Sequence, residues 1–561
     1  MSSEIPHLPK TETSQQLIVD GKPFLMLGGE LQNSSMTSAA FMETVWAWLV
    51  DTNVNTVLGC VTWEQIEAVE GTFCFDELDK VIQGARRHGL RLVLLWFGSF
   101  KNGLSSYAPT WVKTNNKRFP RAKLCNAGGK LEMADVLSIF DSEAPMADSK
   151  AFAALMQHVK EVDEHHSTVI MVQVENEVGL LGDSRDRNQS ANDHFTSAVP
   201  ESLLKFLNEN WDILHPKLRS HLHQFKAKIY SVSGSWVEVF GDNDFTDELF
   251  MAYHYALYVD SIASVGKSIF PVPMFINVWQ NYSDEDSENP FPAIVGGGGK
   301  PGDYPSGGGV IGVLDIWQEF AKSLDFVAPD VYLNEYSSSC ANYRHRNQPL
   351  FIPEQRRDDF GARRIWNAFG THQALGTAPF GIDTIDVTSN PFKKHYRLLA
   401  QTTHHILAAQ RRLGSMCGFF FDELLERGKD PTPLFSAAFG DWKLFIGRSF
   451  VFGKPSPGFG IVIHLDGAKF LLIGEGFQVK FQSLKETSAF TGILSFVEKE
   501  VVDIDTGELR TLRMLNGDET RSGSAAVMPS ENPDYGDFPI SITIPAGTGI
   551  AECEVYALEE A

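Results

Sequence analysis

Two nearly continuous apolar runs, LRLVLLWFG (residues 90–98) and TVIMVQV (residues 168–174), constrain this chain more than any other feature. Strands buried on both faces read this way, and they belong to parallel sheets whose crossovers are helices. The segments around them keep the same rhythm. A hairpin, LIVDGKPFLML, turns at Asp20-Gly21 and leads into a buried strand ending at Gly28-Gly29-Glu30. Ser38 is placed to cap a helix with Phe41, Val45, Trp48 and Leu49 on one face. A strand at Asn55 to Gly59 follows, then a helix carrying Leu78, Val81, Ile82 and Ala85 that stops at His88-Gly89. The helix AFAALMQHVKEV separates the two apolar runs. Further strands are expected at Met274 to Val278, Phe326 to Val331, Leu350 to Ile352 and Gly376 to Ile382, and a last amphipathic helix around Tyr396 to Arg411. Eight strands alternating with helices predict an α/β chain folded as a (β/α)8 TIM barrel, enlarged in its βα loops beyond the roughly 250 residues typical of that fold.

Beyond about Gly414 the pattern changes. GIVIHLDGAKFLLIGEGFQVKF reads as alternating strands joined at Asp466-Gly467 and Gly474, and no long helical pattern remains. The expected organisation is therefore a barrel with its N-terminal hairpin over residues 1–425 and an all-β sandwich over residues 426–561, consistent with a length too great for one core. The glycine-rich stretch GGGGKPGDYPSGGG (residues 296–309) is a loop. It is not a phosphate loop, because Pro301 follows Lys300 where Ser or Thr would be required. His165-His166 ends a helix and lacks the spacing of a zinc site. No metal and no cofactor are expected.

Charge narrows the partners. Asp and Glu outnumber Lys and Arg by 71 to 48, a formal charge of -23, which disfavours nucleic acid and anionic membrane surfaces as partners. The six cysteines (Cys60, Cys74, Cys125, Cys340, Cys417 and Cys553) lie far apart and read as free thiols. Residues 1–16 have neither a basic nor an apolar leader segment, and no apolar run approaches the roughly 20 residues of a spanning helix. A cytoplasmic chain without membrane contact is expected, in which the sequon at Asn188 carries no weight. Composition is compatible with a homo-oligomer and says nothing of its symmetry.

In a barrel of this kind the working groups sit at the C-terminal ends of strands. Glu177 follows the fourth strand, in TVIMVQVENEVG, and Glu354 ends the presumed seventh, in PLFIPEQ. Two carboxyl groups roughly 5 to 5.5 Å apart can cleave a glycosidic bond with retention, one protonating the leaving oxygen and the other attacking the anomeric carbon. Their proton affinities must then differ. Tyr332, after the sixth strand, is a candidate donor to keep the nucleophile ionised. Asn176 is a candidate partner for a sugar 2-hydroxyl. The competing view is two ordinary solvated loop carboxylates, with Tyr332 a core-edge residue.

These residues also carry a resemblance. QVENEVG is similar to the QIENEYG signature of family 35 glycoside hydrolases, a clan A family whose best-known activity is β-galactosidase. GGELQNSS, TWEQIEAVEGTFCF and FIPEQRRD extend the similarity over the chain, toward the branch with a C-terminal β-sandwich. The resemblance implies that Glu177 is the acid/base and Glu354 the nucleophile. The substrate it implies is a β-galactoside oligosaccharide losing its terminal β-D-galactosyl residue by double displacement. Candidate sugar contacts are Glu30 and Asn33 after strand one, Glu64 after strand two, Asn102 after strand three and Trp279 after strand five, where an aromatic face suits stacking. A rim hydrogen bond for Glu30, Asn33 and Glu64, or packing under a loop for Trp279, is the bland counterpart. Val178 stands where the family has Tyr, and Cys60 occupies a pocket-strand position, so hydrolysis of another β-linked sugar is the alternative within the same clan. A catalytically silent carbohydrate-binding barrel is the alternative outside it, and the presence of both glutamates speaks against it.

Overall fold

The computed structural model describes residues 4–9, 15–126, 128–227, 233–282, 298–424, 434–449, 456–515, 517–531 and 544–560. Eight parallel strands form one sheet: β1 (Met26–Glu30), β2 (Thr56–Thr62), β3 (Arg91–Lys101), β4 (Val169–Asn176), β5 (Met274–Trp279), β6 (Phe326–Asp330), β7 (Phe351–Gln355) and β8 (Gly376–Pro379). Their order is β6-β5-β4-β3-β2-β1-β8-β7. The Val331 N–H, one residue past β6, donates to the Glu354 carbonyl of β7 at 2.9 Å and closes the ring. Because all the strands run the same way, their C-terminal ends share one rim.

Both faces of the sheet are apolar for a reason. Leu58, Leu95, Phe275, Phe326 and Phe351 form a buried cluster of their own inside the ring, and Phe275 stacks on Phe326 at 5.2 Å between ring centres. Leu92, Leu94, Trp96, Val172 and Val174 join the larger core under the helices. Each such side chain contributes about 1.5–3 kcal/mol on burial, so a polar residue inside a strand needs a specific partner to persist. The chief covering helices are α1 (Asp76–Arg87), α2 (Glu143–Asp163), α3 (Asp244–Ile269), α4 (Asp359–Gly370) and α5 (Phe392–Gln410). No helix among the described residues is long and apolar enough to cross a membrane.

The elements differ locally from the sequence reading. Ser38 does cap a helix, accepting from the Phe41 N–H, but that helix ends at Met42 and a second piece spans Trp46–Asp51. Val45 and Leu49 are buried as expected, together with Met42 and Trp46, while Trp48 is half-buried and Phe41 is exposed. The third strand continues past Gly98 to Lys101, and the eighth stops at Pro379, leaving Ile382 in a 3-10 turn. Of the glycine-rich stretch, residues 298–309 form turns and bridges, and residues 296–297 lie outside the described residues.

The C-terminal part consists of two antiparallel sheets. Six strands are ordered Met416–Phe421, Gly458–Asp466, Lys469–Glu475, Ile550–Glu559, Ser488–Asp503 and Glu508–Met514, and four are ordered Phe435–Phe439, Trp442–Arg448, Phe477–Ser483 and Ala526–Met528. Phe419, Leu444, Val462, Leu472 and Val479 pack between them as one cluster, which makes the pair a sandwich. Residue 425, the expected boundary, lies outside the described residues, but the strand Met416–Phe421 ahead of it already belongs to the six-stranded sheet.

This sandwich docks on α4. The Asn367 amide and the Thr371 hydroxyl donate to the Gly418 carbonyl at 3.1 and 2.8 Å, and Trp366 stacks on Phe459. Arg364 meets Asp422 at 2.9 Å, with the guanidinium almost fully buried. The contact is close enough that a methyl group added at Gly418 would lie 1.9 Å from the Trp366 carbonyl oxygen. Gly418→Ala should therefore lower stability by about 3 kcal/mol or more, measured as a shift in denaturation midpoint, because backbone and not a side chain would have to move.

Candidate active site

The rim of strand ends surrounds a cavity of about 450 Å³. Its most unusual wall is the end of β4, where both Glu175 and Glu177 have left-handed backbone, with φ of 62° and 44°. Non-glycine residues hold such a conformation only when their surroundings impose it. Glu175 is fully buried and accepts the Ser99 and Phe100 N–H groups at 3.0 and 2.7 Å. Behind it Asp148 of α2 accepts the Trp96 indole N–H and the Ser99 N–H, both at 2.8 Å. Burial raises the proton affinity of Glu175 and Asp148, and the two carboxyl groups hydrogen-bond each other. This buried pair ties β4 to β3 and turns the next glutamate, Glu177, into the cavity. The Glu177 N–H is then taken up by Asn277 Oδ1 at 2.9 Å.

Glu354 faces Glu177 across the cavity, and the two environments differ. Glu354 Oε2 accepts the Tyr332 hydroxyl at 2.9 Å, while Oε1 accepts the amides of Asn277 and Asn176 at 3.1 and 3.4 Å. Three donors thus converge on its two oxygens. Glu177, 7% exposed, is pushed up to about 7, first by burial and then by the charge of Glu354. Asp330, at the end of β6, completes a trio with Glu177 and Glu354 whose carboxylate oxygens lie within 4.8 Å of one another. One oxygen from each carboxyl lies that close, which is compatible with the roughly 5–5.5 Å separation of a retaining pair. A cation could bridge the same oxygens, but what the described residues supply there are hydrogen-bond donors and the ammonium of Lys101. That group is buried. Burial opposes its charge, and the facing carboxyl groups, Glu354 foremost, raise its proton affinity in spite of that. A carboxyl protonated near neutrality beside an ionised one is equipped for proton donation and nucleophilic attack at one centre.

Of the residues singled out in the sequence, Glu177, Glu354, Tyr332, Asn33, Asn102 and Trp279 line the cavity. Asn176 reaches Glu354 from within the barrel. Glu30 is buried beneath, and neither of its carboxyl oxygens has a hydrogen-bond partner among the described residues. Burial, then Glu354, raises its proton affinity well above the usual range. Glu64 lies elsewhere. Because β2 runs on to Thr62 and passes into a helical turn, Glu64 points out of the barrel and pairs with Lys113 at 3.0 Å. Sequence reasoning missed Lys101, Asp330 and Asn277. Lys101 was hidden by ending its strand three residues early. Asn277 sits inside MFINV as the one polar residue of an apolar run, a signal that was available. Asp330 is the last residue of its strand, where the apolar pattern does not mark which side chain enters the cavity.

Comparison with known proteins bears on this arrangement. Residues 38–223, which include Glu177, match the glycoside hydrolase family 42 model described as Beta-galactosidase. That stretch is β-galactosidase-like. The model that matches this stretch is that of family 42, where the QVENEVG motif resembles family 35, so what is supported is the coarser likeness to a clan A β-galactosidase. Residues 392–526 match a domain of unknown function, DUF5597. No curated protein matches the chain. Among solved structures, the β-galactosidase of Bacillus circulans sp. alkalophilus is 15% identical at a TM-score of 0.44, over 69% of this chain and 57% of that one. The β-galactosidase of Marinomonas ef1 is 12% identical at 0.45, over 69% and 62%. The catalytic domain of the β-amylase of Paenibacillus polymyxa is 10% identical at 0.46, over 66% and 97%. The chain thus spans less than two thirds of the length of these β-galactosidases.

The raised proton affinity of Glu177 has a stability consequence with a definite sign. Between about pH 4.5 and 7 the unfolded chain releases this proton while the folded chain keeps it, so stability falls as pH rises through that window. Glu177→Gln should therefore stabilise the fold at about pH 8, by on the order of 1–3 kcal/mol, and have little effect at about pH 4. Denaturant titrations at the two pH values check this.

Proposed function

We propose that this chain is a retaining glycoside hydrolase that removes terminal β-D-galactosyl residues from oligosaccharides. The observation that carries the reading is the unlike pair at the barrel mouth, Glu177 near neutrality and Glu354 held by three donors, with oxygens within 4.8 Å. In the first step the Glu354 carboxylate attacks the anomeric carbon as Glu177 passes its proton to the departing glycosidic oxygen. In the second, the Glu177 carboxylate takes a proton from water, which displaces Glu354 and restores both groups. Asn176 stands beside Glu354, where a sugar 2-hydroxyl would lie, and Trp279 offers an aromatic wall. The family description matched by residues 38–223 supports galactose as the glycone. We assign the chemistry to the barrel, and read the sheets that begin at Met416 as an accessory sandwich.

A panel of para-nitrophenyl β-glycosides tests this directly. The galactoside should be cleaved fastest, with kcat/KM falling above about pH 7 as Glu177 loses its proton. Glu177→Gln and Glu354→Gln should each lower turnover by about 10³-fold or more. Azide should yield a β-azide with Glu177→Gln and an α-azide with Glu354→Gly. If no glycoside is cleaved, the hydrolase reading fails and carbohydrate binding without turnover takes its place.

A further inference from the structure

A double displacement needs two carboxyl groups, and this cavity holds a third within reach of both. Asp330 is 3% exposed and lines the cavity. Its Oδ2 accepts the Asn277 amide at 2.8 Å. Its Oδ1 is buried and accepts from no donor among the described residues. An ionised Asp330 would therefore leave a buried anionic oxygen without a donor, beside two other carboxyl groups, which disfavours the charged form. A proton on Asp330 removes the difficulty, since a carboxylic acid is itself a donor and Glu177, with a carboxyl oxygen within 4.8 Å of one of its own, is an acceptor within reach.

The neighbours fix where the remaining charge sits. Asp330 is faced by Glu177 after β4, Glu354 of β7, Glu30 of β1, Lys101 of β3 and the hydroxyls of Tyr332 and Tyr343. Glu354 has three donors and Lys101 carries one positive charge, so one anion and one cation balance. Glu30 accepts from no donor among the described residues. Every further negative charge would be unpaired.

We propose that Asp330 stays a neutral carboxylic acid through turnover and donates a hydrogen bond to Glu177, orienting that side chain and holding its carboxylate once its proton has gone to the leaving group. This rests on the reading of Glu177 as the acid/base. Asp330 is a positioning residue, and its own proton does not move. Glu177 loses its proton to the glycosidic oxygen in the first step and regains one from water in the second, while the Asp330 O–H remains directed at it. Asn277 makes the arrangement rigid, because one amide accepts the Glu177 N–H and donates to both Asp330 and Glu354. Burial, followed by the charges of Glu354 and Glu177, raises the proton affinity of Asp330 well above the usual range.

The test uses the full chain and the nitrophenyl glycoside it cleaves best, with the pH profile of kcat/KM as readout. Asp330→Asn keeps a neutral donor, so its alkaline limb should stay within about 0.5 unit of the parent. Asp330→Ala removes the donor to the Glu177 carboxylate, so its limb should move up by about one unit or more as kcat falls. If Asp330→Asn instead moves the limb down by about one unit, Asp330 was ionised and the proposal is overturned. An unmoved limb in Asp330→Ala overturns it as well. Infrared difference spectra of the parent against Asp330→Asn at about pH 8 give a readout that needs neither substrate nor turnover. A carboxylic-acid C=O band unique to the parent is expected, and its absence overturns the proposal. A band without turnover of any glycoside upholds the protonated Asp330 and rejects the hydrolase reading instead.

Discussion

Four carboxyl groups and one ammonium share the mouth of an apolar barrel, and the balance among them governs the rest of the site. Glu30, Glu177, Asp330 and Glu354 come from four different strands, with Lys101 from a fifth. All five are buried, so each negative charge needs donors, a cation or a proton. Glu354 has the donors, Lys101 supplies the cation, and protons take up what remains. The difference between Glu177 and Glu354 arises from this shortage of compensation, and the proposed chemistry depends on that difference.

Holding those groups in place engages the scaffold deeply. The buried pair Asp148 and Glu175 fixes the left-handed turn at the end of β4, and Asn277 links β5 to the carboxyl groups of β6 and β7. The contact between Val331 and Glu354 that closes the barrel involves the backbone of the same Glu354. Closure of the fold and placement of the glutamate are thus one event. The cost is borne in stability, since buried carboxyl groups with raised proton affinity favour unfolding as pH rises. The sandwich, docked through Gly418 and Arg364 on α4, packs on the helix that follows β7.

Much of this was legible in the residues. LRLVLLWFG and TVIMVQV announced strands buried on both faces, and the alternation around them gave the barrel. Glu177 and Glu354 were visible because a charged residue directly after an apolar run has few structural excuses. Tyr332 and Asn176 were found by the same reasoning and do meet Glu354. Glu64 was not the cavity residue expected, because a strand two or three residues longer than its apolar signal aims the next side chain elsewhere. Lys101 and Asp330 were overlooked for a related reason, as polar ends of strands whose limits hydrophobicity does not mark.

Periodicity and burial are properties of neighbouring residues along the chain, so the sequence by itself determined the order of strands and helices, the change to an all-β C-terminal part and the two glutamates at strand ends. Proton affinity is a property of neighbours in space. Only the closed barrel brings Asp330, Glu354, Lys101 and Glu30, separated by up to hundreds of residues, around Glu177 in a medium of low polarity. Which carboxyl group keeps its proton was therefore decided by the tertiary structure, because charges interact through distance and solvent exposure and not through sequence separation.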